Sequence, residues 1–324
     1  MLALLLQNGH LRLETSYPRP IPRQDEALIR VRLAGICGTD LALVEGYKGG
    51  YNGVPGHEYV GEVVEAPGNE EWVGRRVVGE INTACGQCDR CTQGLVTHCR
   101  ERRVLGIKDW DGAFAEYLVS PLSLLHRPPP TVPDTSAVFT EPLAAAYAAL
   151  RDMPDDLRQR PPATLRILIV GDGRLGQLLA RVFQAEGYRP LLLGRHPSKL
   201  ALARSCGIAT TRQIDTSAEY DIAVDASGRP ETLATLLGHV RPRGAIILKT
   251  TAAHPASLDL APLVVNEIRL IGSRCGPFPR ALTALEQTQI DPRPLISATY
   301  PLSAALEAME HARRPDAIKV LLQP

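Results

Sequence analysis

The 324-residue chain has few aromatic side chains: four Phe, two Trp and nine Tyr, 5% of the total. That leaves little with which to stack bases. Charge is also nearly balanced, with 36 Lys and Arg against 35 Asp and Glu, so there is no field to draw a polyanion. Nucleic acid and anionic membrane surfaces are therefore not expected as partners. Long hydrophobic runs are missing too, since nothing approaches the ~20 apolar residues of a bilayer span. The start, Met1 to Leu6, is apolar but carries no basic flank and no small-residue cleavage site, which predicts a first β-strand and not a signal peptide. The remaining composition, 44% hydrophobic and 22% charged, is that of an ordinary soluble protein, and the length asks for two domains. Seven cysteines, most of them in metal-type settings, argue for a reducing compartment and hence the cytoplasm.

The texture changes near residue 141. Before it the chain reads as β-rich: 27–34 nearly alternates apolar and polar residues, 59–65 and 75–79 are further short strands, and glycines and prolines punctuate them densely. A partly open β-barrel is expected there. Residues 142–150 form a strong helix former with Pro near the first turn. From 165 the pattern alternates strand and helix, with strands at 165–170, 190–193, 221–225, 245–248 and 268–271. Such alternation predicts an α/β, doubly wound parallel sheet with helices on both faces.

Two stretches carry chemistry. Cys85, Cys88, Cys91 and Cys99 are separated by two, two and seven residues in a segment with neither helical nor strand period. A polar loop of this kind has no apolar side chains to hold its shape, and four thiolates around a tetrahedral Zn²⁺ would supply one, with no position left for substrate. Free cysteines or two disulfides are the alternative. The second stretch, Gly171-Asp172-Gly173-Arg174-Leu175-Gly176, follows an apolar strand and opens an amphipathic helix. That context turns a weak glycine pattern into a dinucleotide loop, whose helix N-terminus offers unpaired N–H groups to the phosphates.

The cysteine spacing resembles the structural zinc loop of the zinc-dependent medium-chain dehydrogenases, the alcohol and polyol dehydrogenase family. Cys37-Gly38-Thr39-Asp40, Gly56-His57-Glu58 and Thr140-Glu141-Pro142-Leu143 match further motifs in the family's order. The resemblance implies a GroES-like catalytic domain at 1–142, a Rossmann domain at 143–277 and a return segment at 278–324. It implies two zinc ions per chain, one structural and one catalytic, with Cys37, His57, Glu58 and Glu141 around the second; Glu58 would ligate the ion or stand close behind it, and Glu141 would bind directly or through water. Thr39 would accept the alcohol's proton and Asp40 would orient His57. Ala42 stands where the alcohol branch keeps a relay His, so the proton must leave by another route. Tyr47, Tyr51, Trp110 and Asp111 are candidates to line the substrate cleft, and their polarity favours a polyol, sugar or amino alcohol.

By the same comparison Gly194 takes the place of the acid that holds the ribose 2′-hydroxyl of NAD, and Arg195 follows it. A missing acid and an arginine at the rim favour NADP over NAD. Arg195 and Lys199 as solvated surface charges are the alternative. The expected cofactor set is Gly171, Gly173, Arg174, Leu175, Gly176, Gly194, Arg195, Lys199, Ala226 and Ser227. Residues 268–273 are expected as an edge strand that pairs with a second copy, giving a homodimer or homotetramer. Cys206 and Cys275 are expected to be buried structural residues. Competing functions are a zinc-containing NADPH-dependent carbonyl reductase and a non-catalytic nucleotide-binding relative.

Overall fold

The computed structural model describes residues 1–251 and 257–324. Two compact units divide the chain: Met1–Glu141 with 282–286 and 291–324, and Pro142–Ala281 with 287–290. The return to the first unit therefore comes a few residues later than expected, with 278–281 staying in the second.

In chain order the strands are β1 (Ala3–Gln7), β2 (His10–Glu14), β3 (Glu26–Gly35), β4 (Glu58–Glu65), β5 (Arg76–Gly79), β6 (Tyr117–Pro121), β7 (Leu125–His126), β8 (Ile167–Val170), β9 (Pro190–Leu193), β10 (Ala209–Thr211), β11 (Tyr220–Asp225), β12 (Val240–Leu248), β13 (Arg269–Gly272), β14 (Ile296–Pro301) and β15 (Lys319–Gln323). The N-terminal apolar run is β1, turned back onto β2 through Asn8 and Gly9, both at positive φ, the pair that a tight two-residue hairpin demands. The first unit is built on a sheet in the order β14-β15-β3-β4-β5-β7, with β6 also paired to β3. It forms an open path and not a closed barrel. Its core includes Ile29, Ile36, Val63, Phe114 and Val320.

The second unit is a six-stranded parallel sheet in the order β10-β9-β8-β11-β12-β13. β8 lies at the middle and the chain runs outward from it in both directions, so the crevice at its carboxyl end is the switch point at which such sheets bind ligands. β8 and β11 are buried along their whole length, as a sheet covered on both faces requires. No helix among the described residues is long and apolar enough to cross a membrane.

Candidate metal centre and dinucleotide loop

Cys37 lies two residues beyond β3 and is the N-cap of the helix Gly38–Val44. Its backbone N–H donates to Asp40 Oδ2 at 2.7 Å, and Asp40 Oδ1 accepts the N–H of Gly56 at 3.2 Å and stands 3.3 Å from His57 Nδ1. Asp40 is fully buried, so one carboxylate ties the Cys37 turn to the His57 turn. Glu58 opens β4 directly opposite Gly35 of β3. A side chain at position 35 would run into the Glu58 carboxylate, which is why the strand carries glycine there. The result is a cluster in which Cys37 Sγ, a ring nitrogen of His57 and a carboxylate oxygen of Glu58 all lie within 4.8 Å of one another. Thr39 Oγ1 is 3.8 Å from Cys37 Sγ.

This donor set suits a zinc ion: one thiolate, one imidazole and one carboxylate, in a buried setting. Glu58 Oε1 is buried and has no hydrogen-bond partner, an arrangement that costs free energy unless a cation meets it. His57 reports the same field. Burial works against its charged form, but the Asp40 carboxylate and Cys37 outweigh burial and push it well above the usual imidazole range. Glu141, outside that 4.8 Å group, lies in the first turn of the helix Thr140–Arg151, where a carboxylate also complements the helix dipole.

Spacing gave no hint of Lys319. Its Nζ pairs with Glu58 Oε2 and lies 3.3 Å from the carbonyl of Ile36, with both charged side chains 1% exposed. The partners are 261 residues apart. The one available signal was a single cation inside the apolar strand 318–322.

The four cysteines come together as their spacing predicts. Their Sγ atoms lie within 4.8 Å of one another, with Cys88 and Cys91 at 3.5 Å, and none is disulfide-bonded. Backbone N–H groups of Arg100 and Cys91 hold Cys88 down to about 6, whereas burial pushes Cys91 up to about 12. The segment is not wholly irregular: Asp89–Thr92 makes one helical turn and Val96–His98 a 3₁₀ turn. Arg100 grips Asp89 with two bonds of 2.6–2.7 Å, and Arg90 Nη1 donates to the carbonyl of His98 at 2.9 Å. These local contacts supply turns that periodicity could not show.

Three of the four candidate cleft residues also hold loops together. Tyr51 is buried, its hydroxyl donating to the Trp110 carbonyl at 3.0 Å. Asp111 accepts the backbone N–H of Val54 at 2.9 Å and the Tyr17 hydroxyl at 2.6 Å. Trp110 Nε1 donates to the Val119 carbonyl at 2.8 Å. They pin one loop to another, and Tyr17 is raised to about 12 by its burial and by Asp111. Tyr47 begins a 3₁₀ turn, Tyr47–Gly49.

In the second unit the glycine loop joins β8 to the helix Arg174–Ala185. Gly171 has φ +115° and packs against Ala226, and a side chain at Gly176 would collide with the Gly171 carbonyl. Gly173 differs: a Cβ there meets no protein atom within 4 Å, so this glycine keeps a surface open. Arg174 and Leu175 begin the helix, Gly194 and Arg195 follow β9, and Ala226 and Ser227 follow β11, all at the carboxyl edge of the sheet. Ser227 is anchored by its N–H to Asp225 at 2.9 Å. Arg195 is exposed, but Lys199 is buried, on the inward side of its helix and not at the rim. Cys206, expected to be buried, is exposed at the end of that same helix, and Cys275 is half-buried.

Residues 23–130 match the alcohol dehydrogenase GroES-like domain family. Along its length the chain is similar to the sorbitol dehydrogenase of Halalkalibacterium halodurans, 27% identical over 338 aligned residues that cover 98% of this chain and 96% of the relative. Among solved structures it resembles an Escherichia coli protein described as a short chain alcohol dehydrogenase, complexed with NADH (TM-score 0.90, 25% identity, 100% and 99% of the two chains covered). It also resembles a Sinorhizobium meliloti protein assigned as a zinc-binding dehydrogenase, bound to NADP (TM-score 0.89, 26% identity, 100% and 99% covered). A GroES-like unit and a Rossmann-type sheet stand together in one chain. With these similarities they support the zinc-dependent medium-chain dehydrogenase family, that of the alcohol and polyol dehydrogenases.

Proposed function

We propose that the protein is a zinc- and NAD(P)-dependent dehydrogenase that interconverts a small polar secondary alcohol and its carbonyl, a polyol or sugar before a long aliphatic alcohol. The observation that carries this reading is the convergence of Cys37, His57 and Glu58 on one buried point. The similarity to a sorbitol dehydrogenase supports the polar substrate. Cys37, His57 and Glu58 would hold the catalytic zinc and the four-cysteine lobe a structural one. A zinc ion held at the first site supplies Lewis-acid polarisation of the carbinol oxygen. Asp40 keeps the thiol and the imidazole in register from behind. Lys319 balances the charge of Glu58, so the remaining negative charges of the centre are the Cys37 thiolate and the Asp40 carboxylate behind His57. Thr39 Oγ1, beside Cys37 Sγ, is the hydroxyl placed to take the substrate's proton and pass it outward. Glu141 is the further candidate ligand, directly or through water. Exposed Arg195 speaks for NADP.

The test is metal content and turnover together. Protein purified without chelator should hold about two zincs, four sulfur ligands accounting for one and the Cys37 cluster for the other. Cys37→Ser should lose one of them and lose polyol oxidation, while reduced dinucleotide still binds. Equal turnover in that variant sinks the mechanism.

A further inference from the structure

One buried carboxylate stands where the sequence led us to expect no acid. Asp172 lies between the first two glycines of a loop suited to phosphates, yet is only 6% exposed. Its Oδ2 accepts the backbone N–H groups of Arg195 and His196, both at 2.7 Å, and the His196 ring Nδ1 is 2.9 Å from Oδ1. Arg195 and His196 follow β9, the strand end at which a dinucleotide's adenosine ribose is read. The expected acid position there is Gly194. A Cβ at Gly194 would stand 2.5–2.7 Å from Asp172 Cβ, Cγ and Oδ2. The two positions compete for one volume, and in this chain the acid enters it from the glycine loop.

We infer that Asp172 selects the dinucleotide, and that it selects NAD over NADP. The inference rests on the dinucleotide reading above. A carboxylate has about four acceptor sites, and three donors fill this one, which leaves a place for a ribose hydroxyl. A 2′-phosphate would bring a dianion against the same carboxylate. It would also find the N–H groups of Arg195 and His196, which otherwise make an anion-binding turn, already engaged. The exposed Arg195 guanidinium offsets part of this repulsion, but like charges in close contact act as an exclusion device.

Fluorescence titration of the full chain with NADH and with NADPH tests it. NADH should bind on the order of tenfold tighter or more. Asp172→Asn keeps the shape, removes the charge and should narrow that ratio by about tenfold. The double variant Asp172→Ala with Gly194→Asp returns the acid from the strand side and should restore the NADH preference, which a merely structural role for Asp172 would not predict. Wild-type protein that binds NADPH as tightly as NADH overturns the inference, whatever the variants do. So does a ratio that Asp172→Asn leaves unmoved. A folded chain that binds neither dinucleotide overturns the cofactor reading itself, and the inference with it.

Discussion

At the scale of single residues, the centre in the first unit is governed by two charges that touch no substrate in the proposed reaction. Asp40 gathers Cys37, Gly56 and His57 around one carboxylate, and Lys319 neutralises Glu58. Removing one partner of a buried ion pair leaves the other charge uncompensated, at a cost of about 3–5 kcal/mol. Lys319→Met should therefore destabilise the chelator-treated protein by about that much, and the zinc-loaded protein by clearly less, because the metal then faces Glu58. Denaturant unfolding with and without chelator measures the difference, and equal losses in both states would mean that Glu58 does not meet the metal. Glu141→Gln should leave the zinc content at its wild-type value, since Cys37, His57 and Glu58 already make three protein ligands. Cys37, His57 and Glu58 were legible from their motifs. Lys319 was not, because antiparallel pairing of β15 with β3 brings it to Glu58 and no local pattern encodes that.

At the scale of elements, the glycine loop separates packing from binding. Gly176 is demanded by the Gly171 carbonyl behind it, so its replacement should damage the fold. Gly173 faces open space and its backbone is extended, with φ −76°. Gly173→Ala should then leave the melting temperature near wild type while weakening NADH binding by about tenfold or more, since the methyl stands where backbone must approach pyrophosphate. Calorimetry beside fluorescence titration checks both halves. The cysteine lobe makes the opposite case, an element held by its proposed ion more than by a core. Chelation should open 85–99 to proteolysis. Strand-helix alternation and the cysteine spacing made these elements readable in advance. The two short turns inside the lobe escaped, because Arg100 and Arg90 fix them and the sequence shows no period there.

At the scale of the whole molecule, β13 is an edge strand, and near it in sequence Leu260, Val264, Val265 and Leu270 expose 40–78% of their surface. An unpaired edge beside exposed apolar side chains marks an association surface. A homodimer or homotetramer follows as a proposal, with the second copy pairing along β13. Light scattering behind size exclusion should give a multiple of the 35.2 kDa chain mass, and Val264→Asp with Val265→Asp should return the monomer.

By itself the amino-acid order determined what is encoded locally. Alternating apolar residues specify strands, a glycine loop between strand and helix specifies a phosphate site, and four closely spaced thiols specify a metal lobe. The family motifs added the Cys37, His57 and Glu58 set. Only tertiary structure decided which charges meet. It buried Lys319 against Glu58 and turned Lys199 inward. It engaged Tyr51, Trp110 and Asp111 in loop anchoring, and it placed Asp172 in the volume that Gly194 leaves open. The physical reason is common to all of these. A buried charge is tolerated only beside its partner, and partners brought together by strand pairing or by adjacent loops carry no spacing that a one-dimensional reading can detect.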